Sequence, residues 1–196
     1  MRRFAFCIWL LLAWGQTGAE QAQAASWSLL PEVSRLDFQF TQAGSDETGG
    51  FRNFQADFRF DPDRPEQSSI DVTVEMASVD TGDPERDQIL KSADLFDVER
   101  WPKARFKTIS ITREEGNRYL ARAELTIRDQ TRQIPFPFTL EISENGQGEQ
   151  RQAVFRLTTE VPLRRLEFGV GKGDWAETTW ISDEVLVQVD VQARKQ

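Results

Sequence analysis

The sequence predicts an all-β fold: an eight-stranded antiparallel barrel with one short helix over an opening. Three observations predict it. Apolar residues recur at every second position in eight runs. Turn-forming residues separate most runs by short intervals, which makes neighbours antiparallel. Helical spacing is confined to one segment near residues 83–102. Eight amphipathic strands suit a barrel or a sandwich. The second run spans about 11 residues and the fifth about 10, roughly 30–35 Å at ~3.3 Å per residue. Sandwich strands are commonly nearer 5–6 residues, so tall strands favour the barrel.

The first residues stand apart from that pattern. Arg2 and Arg3 precede an apolar run from Phe4 to Trp14, and small residues follow at Ala19, Ala22, Ala24 and Ala25. A charged start, a short apolar stretch and Ala22-Gln23-Ala24 predict a secretory signal peptide over residues 1–24, with Ala19 a second cleavage point. A bilayer span takes about 20 apolar residues, more than this run supplies. The flanks of the arginine pair fit ordinary Sec export and a periplasmic destination. Cleavage leaves residues 25–196 as one domain of 172 residues, and the net charge moves from −8 to −9 as two arginines and Glu20 depart. Such a length builds a real core. Strong acidity argues against nucleic acid or an anionic lipid surface as partner. Cys7 is the only cysteine and histidine is absent. This excludes disulfides in the mature chain, Ser–His and Cys–His catalysis, and zinc sites built on imidazole or thiolate.

The strands follow in order. Leu36, Phe38 and Phe40 alternate with polar residues, as do Phe54, Ala56, Phe58 and Phe60, and then Ile70, Val72, Val74 and Met76. Ala104–Thr112 is the fourth strand. Its apolar phase changes between Phe106 and Ile109, which predicts a β-bulge near Thr108, with Ile109 and Ile111 sharing one parity. Tyr119–Ile127, Ile134–Ile142, Phe155–Val161 and Val185–Val191 complete the eight. In the sixth, Pro135 and Pro137 are two apart, so their missing N–H groups face one neighbour, which marks a seam or a frayed pairing. Expected turns are Thr48-Gly49-Gly50, Asp61-Pro62-Asp63, Glu115-Gly116-Asn117, Arg128-Asp129-Gln130 and Asn145-Gly146-Gln147-Gly148.

Asp83-Pro84-Glu85 starts the helix: Asp caps, Pro fits the first position, and the acid meets the N-terminal dipole. Ile89, Leu90 and Ala93 share a face, Ser92 caps a second turn through Leu95 and Phe96, and Trp101-Pro102 ends the segment. Asp87, Asp94, Asp97 and Glu99 fall mostly on the wet face among Arg86, Lys91, Arg100 and Arg105. Calcium takes six to eight oxygens and the D-x-D-x-D-G run is missing. These acids therefore read as caps and ion pairs, and no metal site is expected. Gly169-Val-Gly-Lys-Gly-Asp-Trp175 invites a phosphate-loop reading, but Gly173 stands where Ser or Thr must follow the lysine. A flexible loop before the last strand is the expectation, with Lys172 and glycine amides able to meet a head group.

Several segments together resemble the YceI-like family of exported, lipocalin-like barrels. They include Gly50-Phe51 with Phe58-Arg-Phe-Asp-Pro62, Ser78-Val-Asp-Thr-Gly82, and Leu90-Lys-Ser-Ala-Asp-Leu-Phe-Asp97. Trp101-Pro-Lys-Ala-Arg-Phe106, Leu125-Thr-Ile127, Phe168-Gly-Val170 and Asp183-Glu-Val185 continue the series over about residues 26–194. The resemblance implies a helix packed on an eight-stranded barrel and an elongated apolar interior. It also implies a bound isoprenoid, such as a polyprenyl phosphate or an isoprenoid quinone, with no catalytic residues and no other cofactor. The chain departs from the family at Ile89, where many members carry histidine, at Ala123, where many carry glycine, and at Asp129, which replaces a turn glycine.

Periodicity alone admits either a filled interior or a cavity for one ligand. The resemblance favours the cavity. Its expected apolar lining is Phe38, Phe40, Phe58, Phe106, Phe136 and Phe138, with Trp175 and Trp180 near the mouth, and Arg164, Arg165 and Lys172 are head-group candidates. The leading reading is a periplasmic isoprenoid carrier and not an enzyme. A non-catalytic module for a membrane redox partner is the alternative, and a carboxylate-dependent hydrolase needs an Asp/Glu pair about 5–9 Å apart. The oligomeric state stays open, a dimer included.

Overall fold

In a computed structural model the described residues, 24–145 and 151–196, form one antiparallel sheet that closes on itself. Its first segments are β1 (Ala25–Leu29), β2 (Arg35–Gln42), β3 (Ser45–Phe51), β4 (Phe54–Phe60), β5 (Ser69–Glu75) and β6 (Val79–Asp80). The helix α1 (Pro84–Lys91) follows, then β7 (Lys103–Arg113), β8 (Arg118–Ile127), β9 (Gln130–Asn145), β10 (Gln152–Arg164) and β11 (Ile181–Lys195). Closure occurs where β1 pairs with both β4 and β11. β1 runs on into β2, β3 into β4 and β5 into β6, so the segments make the eight barrel strands that the sequence predicts. Residues 1–23, which hold Cys7 and nearly all of the expected export segment, lie outside the described residues, as do residues 146–150 of the last expected turn.

Kinks divide the first three strands near residues 30–34, 52–53 and 76–78. Hydroxyl groups replace the ladder bonds lost there. Ser34 Oγ donates to Leu30 O at 2.7 Å and accepts from Gln192 N at 3.0 Å. Ser78 Oγ accepts from Asn53 N and donates to Glu75 O at 2.6 Å. Alternation reveals only one half of each kinked strand, and the second run's long strand is β3 and β4 in series. Thr48-Gly49-Gly50, expected as a turn, lies inside β3, and the reversal is at Ala43-Gly44. These glycines allow close approach: a Cβ on Gly49 would lie 2.6 Å from Phe38 Cζ, and one on Gly50 2.3 Å from Asp37 Oδ1.

The predicted bulge is present. Thr108 pairs with Ala123 and Ser110 with Arg122, which leaves Ile109 as the extra residue. Ile109 does not share the inner face with Ile111, because the bulge turns it out to 47 % exposure while Ile111 is fully buried. Thr108 stays inside and its Oγ1 accepts the Ile70 N–H at 2.9 Å. The proline expectation also holds: β9 pairs with β8 over Gln130–Thr139, prolines included, but with β10 only over Thr139–Asn145.

The barrel interior has two halves. At one end Trp27, Phe60, Tyr119, Phe138 and Phe155 pack as a plug, all at 5 % exposure or less. Phe60 meets Tyr119 edge-on at 5.1 Å, and Phe155 meets Phe58 likewise at 5.1 Å. Ala121 and Ala193, fully buried, give these rings room. At the other end the interior is open beneath α1 and the turns after it.

Candidate functional site

The open half is an apolar cavity of about 240 Å³, and none of the surface it exposes is polar. One water needs roughly 10–15 Å³ by the same measure, so the space is roughly twentyfold larger. Val72 and Val74 on β5, Phe106 on β7, Phe136 on β9 and Val187 and Val189 on β11 represent its wall. Each points inward because side chains alternate along a strand. Phe106 and Phe136 meet across the wall at 4.6 Å between ring centres.

Residues 83–102 form the cover. Asp83 caps α1 by accepting from Glu85 N at 2.9 Å and Arg86 N at 3.3 Å, with Pro84 at the first position. The helix spans only eight residues. Leu90 faces the cavity, whereas Ile89 is turned out at 36 % exposure and Ala93, past the helix end, is exposed. Leu95 and Phe96 complete the lining of the cover. Ser92 supports the turn through its carbonyl, which accepts from Leu95 N and Asp97 N.

Two buried arginines fasten this end. Arg128 donates to Leu95 O at 2.6 Å and Gly169 O at 2.7 Å, and pairs with Asp97 at 3.4 Å. It occupies the left-handed position (φ 56°) of the turn between β8 and β9, next to Asp129. Arg165, 7 % exposed, donates to Ser182 O (2.9 Å), Val170 O (3.0 Å), Trp175 O (2.7 Å) and Ile181 O (3.3 Å). Burial lowers its pKa from the ordinary arginine value. The glycine-rich loop therefore turns carbonyls toward an arginine, the opposite polarity to a phosphate loop. A Cβ on Gly171 (φ 121°) would lie 2.0 Å from Arg165 Nη1. Sequence pattern misses Arg128, since an arginine beside a turn reads as solvated, and it singles out Arg165 for a head group where the structure gives its guanidinium to backbone carbonyls.

Of the expected apolar residues, Phe38, Phe40, Phe58, Phe106 and Phe136 line the cavity. Phe138 points inward at the plugged end, stacked on Tyr119 at 5.4 Å. Trp175 packs beside Leu95, Phe168 and Val170 and faces the outer side of α1, and Trp180 is 70 % exposed. Among the head-group candidates, Arg165 lines the cavity with its stem, while Arg164 and Lys172 are exposed. The carboxylates of the helical segment scatter. Asp87 accepts from Thr81 N and Oγ1, both at 2.8 Å, and Asp97 meets Arg128. The nearby basic residues take other partners: Arg86 pairs with Glu47 and Arg105 with Asp71. Among the described residues no group of three potential metal ligands occurs.

The family model for the YceI-like domain matches residues 27–193. A UPF0312 protein of Photorhabdus laumondii is 30 % identical over 129 residues, which span 64 % of this chain and 65 % of that protein. The crystal structure of BcnA from Burkholderia cenocepacia is 27 % identical with a TM-score of 0.77, covering 84 % of this chain and 99 % of that one. A polyisoprenoid binding domain from Saccharophagus degradans shares the fold, with a TM-score of 0.67 at 14 % identity over 88 % of this chain and 99 % of that one.

Proposed function

The chain belongs to the YceI-like family, and from that premise we propose that it is a periplasmic carrier for an isoprenoid lipid. The observation that carries the reading is the cavity: a space walled by aromatic and aliphatic side chains, with no polar surface. An apolar chain gains about 0.8 kcal/mol for each CH₂ it buries. Chain ordering offsets much of that sum, because affinities level off near 18–21 kcal/mol. Tight binding thus needs no polar anchor inside. A polyprenyl phosphate or quinone head group stays outside, since burying it unpaired is costly, and Arg164 and Lys172, both exposed, are the remaining candidates to meet it. Arg165 has most of its donors committed to backbone carbonyls. The apolar lining supplies no acid or base, which favours binding over catalysis.

The test is recovery of lipid. Protein purified from the periplasm of a Gram-negative host and extracted with solvent is expected to release one isoprenoid per chain by mass spectrometry. Val187→Phe, which fills the cavity, should release at least tenfold less while remaining folded. A wild-type protein that is lipid-free and takes up neither polyprenyl phosphate nor ubiquinone would refute the reading.

A further inference from the structure

The geometry points to the seam between β9 and β10 as the lateral portal through which the ligand chain reaches the cavity. The inference rests on the isoprenoid reading for its cargo and on the backbone for its location. Leu140 N donates to Asn117 O on the β8 side, at 3.0 Å. Alternation along the strand then turns the N–H positions of residues 135, 137 and 139 toward β10. The ladder between β9 and β10 ends at Thr139 and Thr158. Continued in the same register, it would set Pro137 against Glu160 and Pro135 against Pro162. Each is a position where two residues should exchange both N–H···O bonds. Three of those four bonds are impossible, because proline has no N–H. Prolines on both strands thus face one seam, while β9 keeps its full ladder with β8 and β10 its own with β11.

The seam is continuous with the cavity. Ile134 and Phe136 on β9 and Val161 and Leu163 on β10 line the cavity on its two sides. Six residues on each strand, 133–138 and 159–164, face each other unpaired before β10 ends, a stretch of roughly 20 Å at ~3.3 Å per residue. Thr159 Oγ1 donates to Pro137 O, so the lower end is held by a side chain and can part without breaking a ladder. The 3₁₀ turn Arg165–Phe168 closes the upper end, with Phe168 buried against Leu125 and Ile127. The other routes are fastened. Aromatic rings plug the far end, and the cover is tied by Arg128 to Leu95 and Asp97, by Arg86 to Glu47 at 2.8 Å, and by Gly171 N to Asp94 O at 3.0 Å. On the outer face the rings of Pro135, Pro137 and Pro162 are exposed, an apolar strip at the slot.

The test closes the slot reversibly. Pro135→Cys with Pro162→Cys, in a Cys7→Ser background, puts a disulfide where the register sets the two residues opposite each other. Uptake of the apolar dye diphenylhexatriene and of a polyprenyl phosphate is followed by stopped flow in the oxidised and reduced forms. Uptake and release are both expected to slow at least tenfold on oxidation, with unchanged equilibrium occupancy and full recovery on reduction. If the disulfide does not form, Pro135→Val/Pro137→Thr/Pro162→Val restores the missing donors and should slow both rates alike. Dye uptake within twofold of the open form, in whichever variant closes the seam, overturns the portal. A wild-type protein that takes up dye but no isoprenoid overturns the carrier reading alone, and the dye rates still decide the portal. A wild-type protein that takes up neither overturns both.

Discussion

Replacing Arg165 separates two roles for the one charged residue that lines the cavity among the described residues. Arg165→Met keeps an apolar stem against the cavity and deletes the guanidinium. Four backbone carbonyls then lose a charged donor: Val170, Trp175, Ile181 and Ser182. Those of Trp175, Ile181 and Ser182 belong to half-buried residues that water can approach, whereas Val170 is buried. A stranded buried carbonyl costs about 1–3 kcal/mol, and water replaces part of the rest. The arginine's own desolvation, visible in its lowered pKa, is returned on deletion and trims the loss. The net expectation is about 2–4 kcal/mol, a large share of the ~5–15 kcal/mol that holds a domain folded. Thermal unfolding should report a fall of roughly 4–16 °C, at about 2–4 °C per kcal/mol for a chain of this size. Arg165→Lys should recover little, because an ammonium cannot span the fork of carbonyls that a guanidinium reaches. The opposite pattern refutes the reasoning: a melting temperature within about 2 °C of wild type, with affinity for a polyprenyl phosphate lost, would make Arg165 a head-group ligand and not an organiser of the loop.

Three further outcomes follow from the same geometry. Phe155→Ala, at a fully buried site in the plug, should cost about 3–5 kcal/mol by urea denaturation, and dye binding by the folded fraction should persist because Phe155 does not line the cavity; loss of binding at full stability would contradict the division of the barrel. Thr108→Val removes the hydroxyl that accepts from Ile70 N and should cost about 1–3 kcal/mol, with faster hydrogen exchange at Ile70 as the local readout. Asp71 and Asp190 are held below the usual carboxylate range by hydrogen bonds from Arg105 and Arg156. Their contribution is complete above the unfolded aspartate value of about 3.9 and is lost as pH falls through their folded values. The chain has no histidine, so the melting temperature should be level from about pH 5.5 to 7 and decline only below about pH 4; a midpoint near pH 6 would contradict this.

Parity, caps and prolines made much of the fold legible in the sequence. Alternation found all eight barrel strands, Asp83-Pro84 placed the helix start, the phase change in β7 placed the bulge, and Pro135 with Pro137 placed the seam. The kinks escaped because Ser34 and Ser78 are ordinary polar residues until their hydroxyls are seen replacing ladder bonds. Gly49 and Gly50 suggested a turn because glycine is usually read for its backbone freedom, and here its lack of a side chain is what counts. The candidate site was legible as a face and not as a height. Inward parity is shared by Phe136 and Phe138, yet one lines the cavity and the other sits in the plug. Trp175 and Trp180 belong to no strand pattern, so nothing in the period fixed their position.

Height along the barrel is set by side-chain volume, and the same strands carry both halves. β8 passes from Tyr119 through two alanines to Leu125 and Ile127 at the cavity. β11 runs the other way, from Val185, Val187 and Val189 on the cavity wall to Val191 and Ala193 beside the plug. An eight-stranded barrel is just wide enough for its own side chains to fill, so large rings meeting from several strands close it, and valines at one level leave it open. The plug supplies the packing that a hollow barrel lacks, at about 1.5–3 kcal/mol for each large side chain buried. The open half forgoes that packing until an apolar guest restores it. Stability and capacity are thereby separated along one axis, and the seam prolines fall in the half where the wall has little packing to lose.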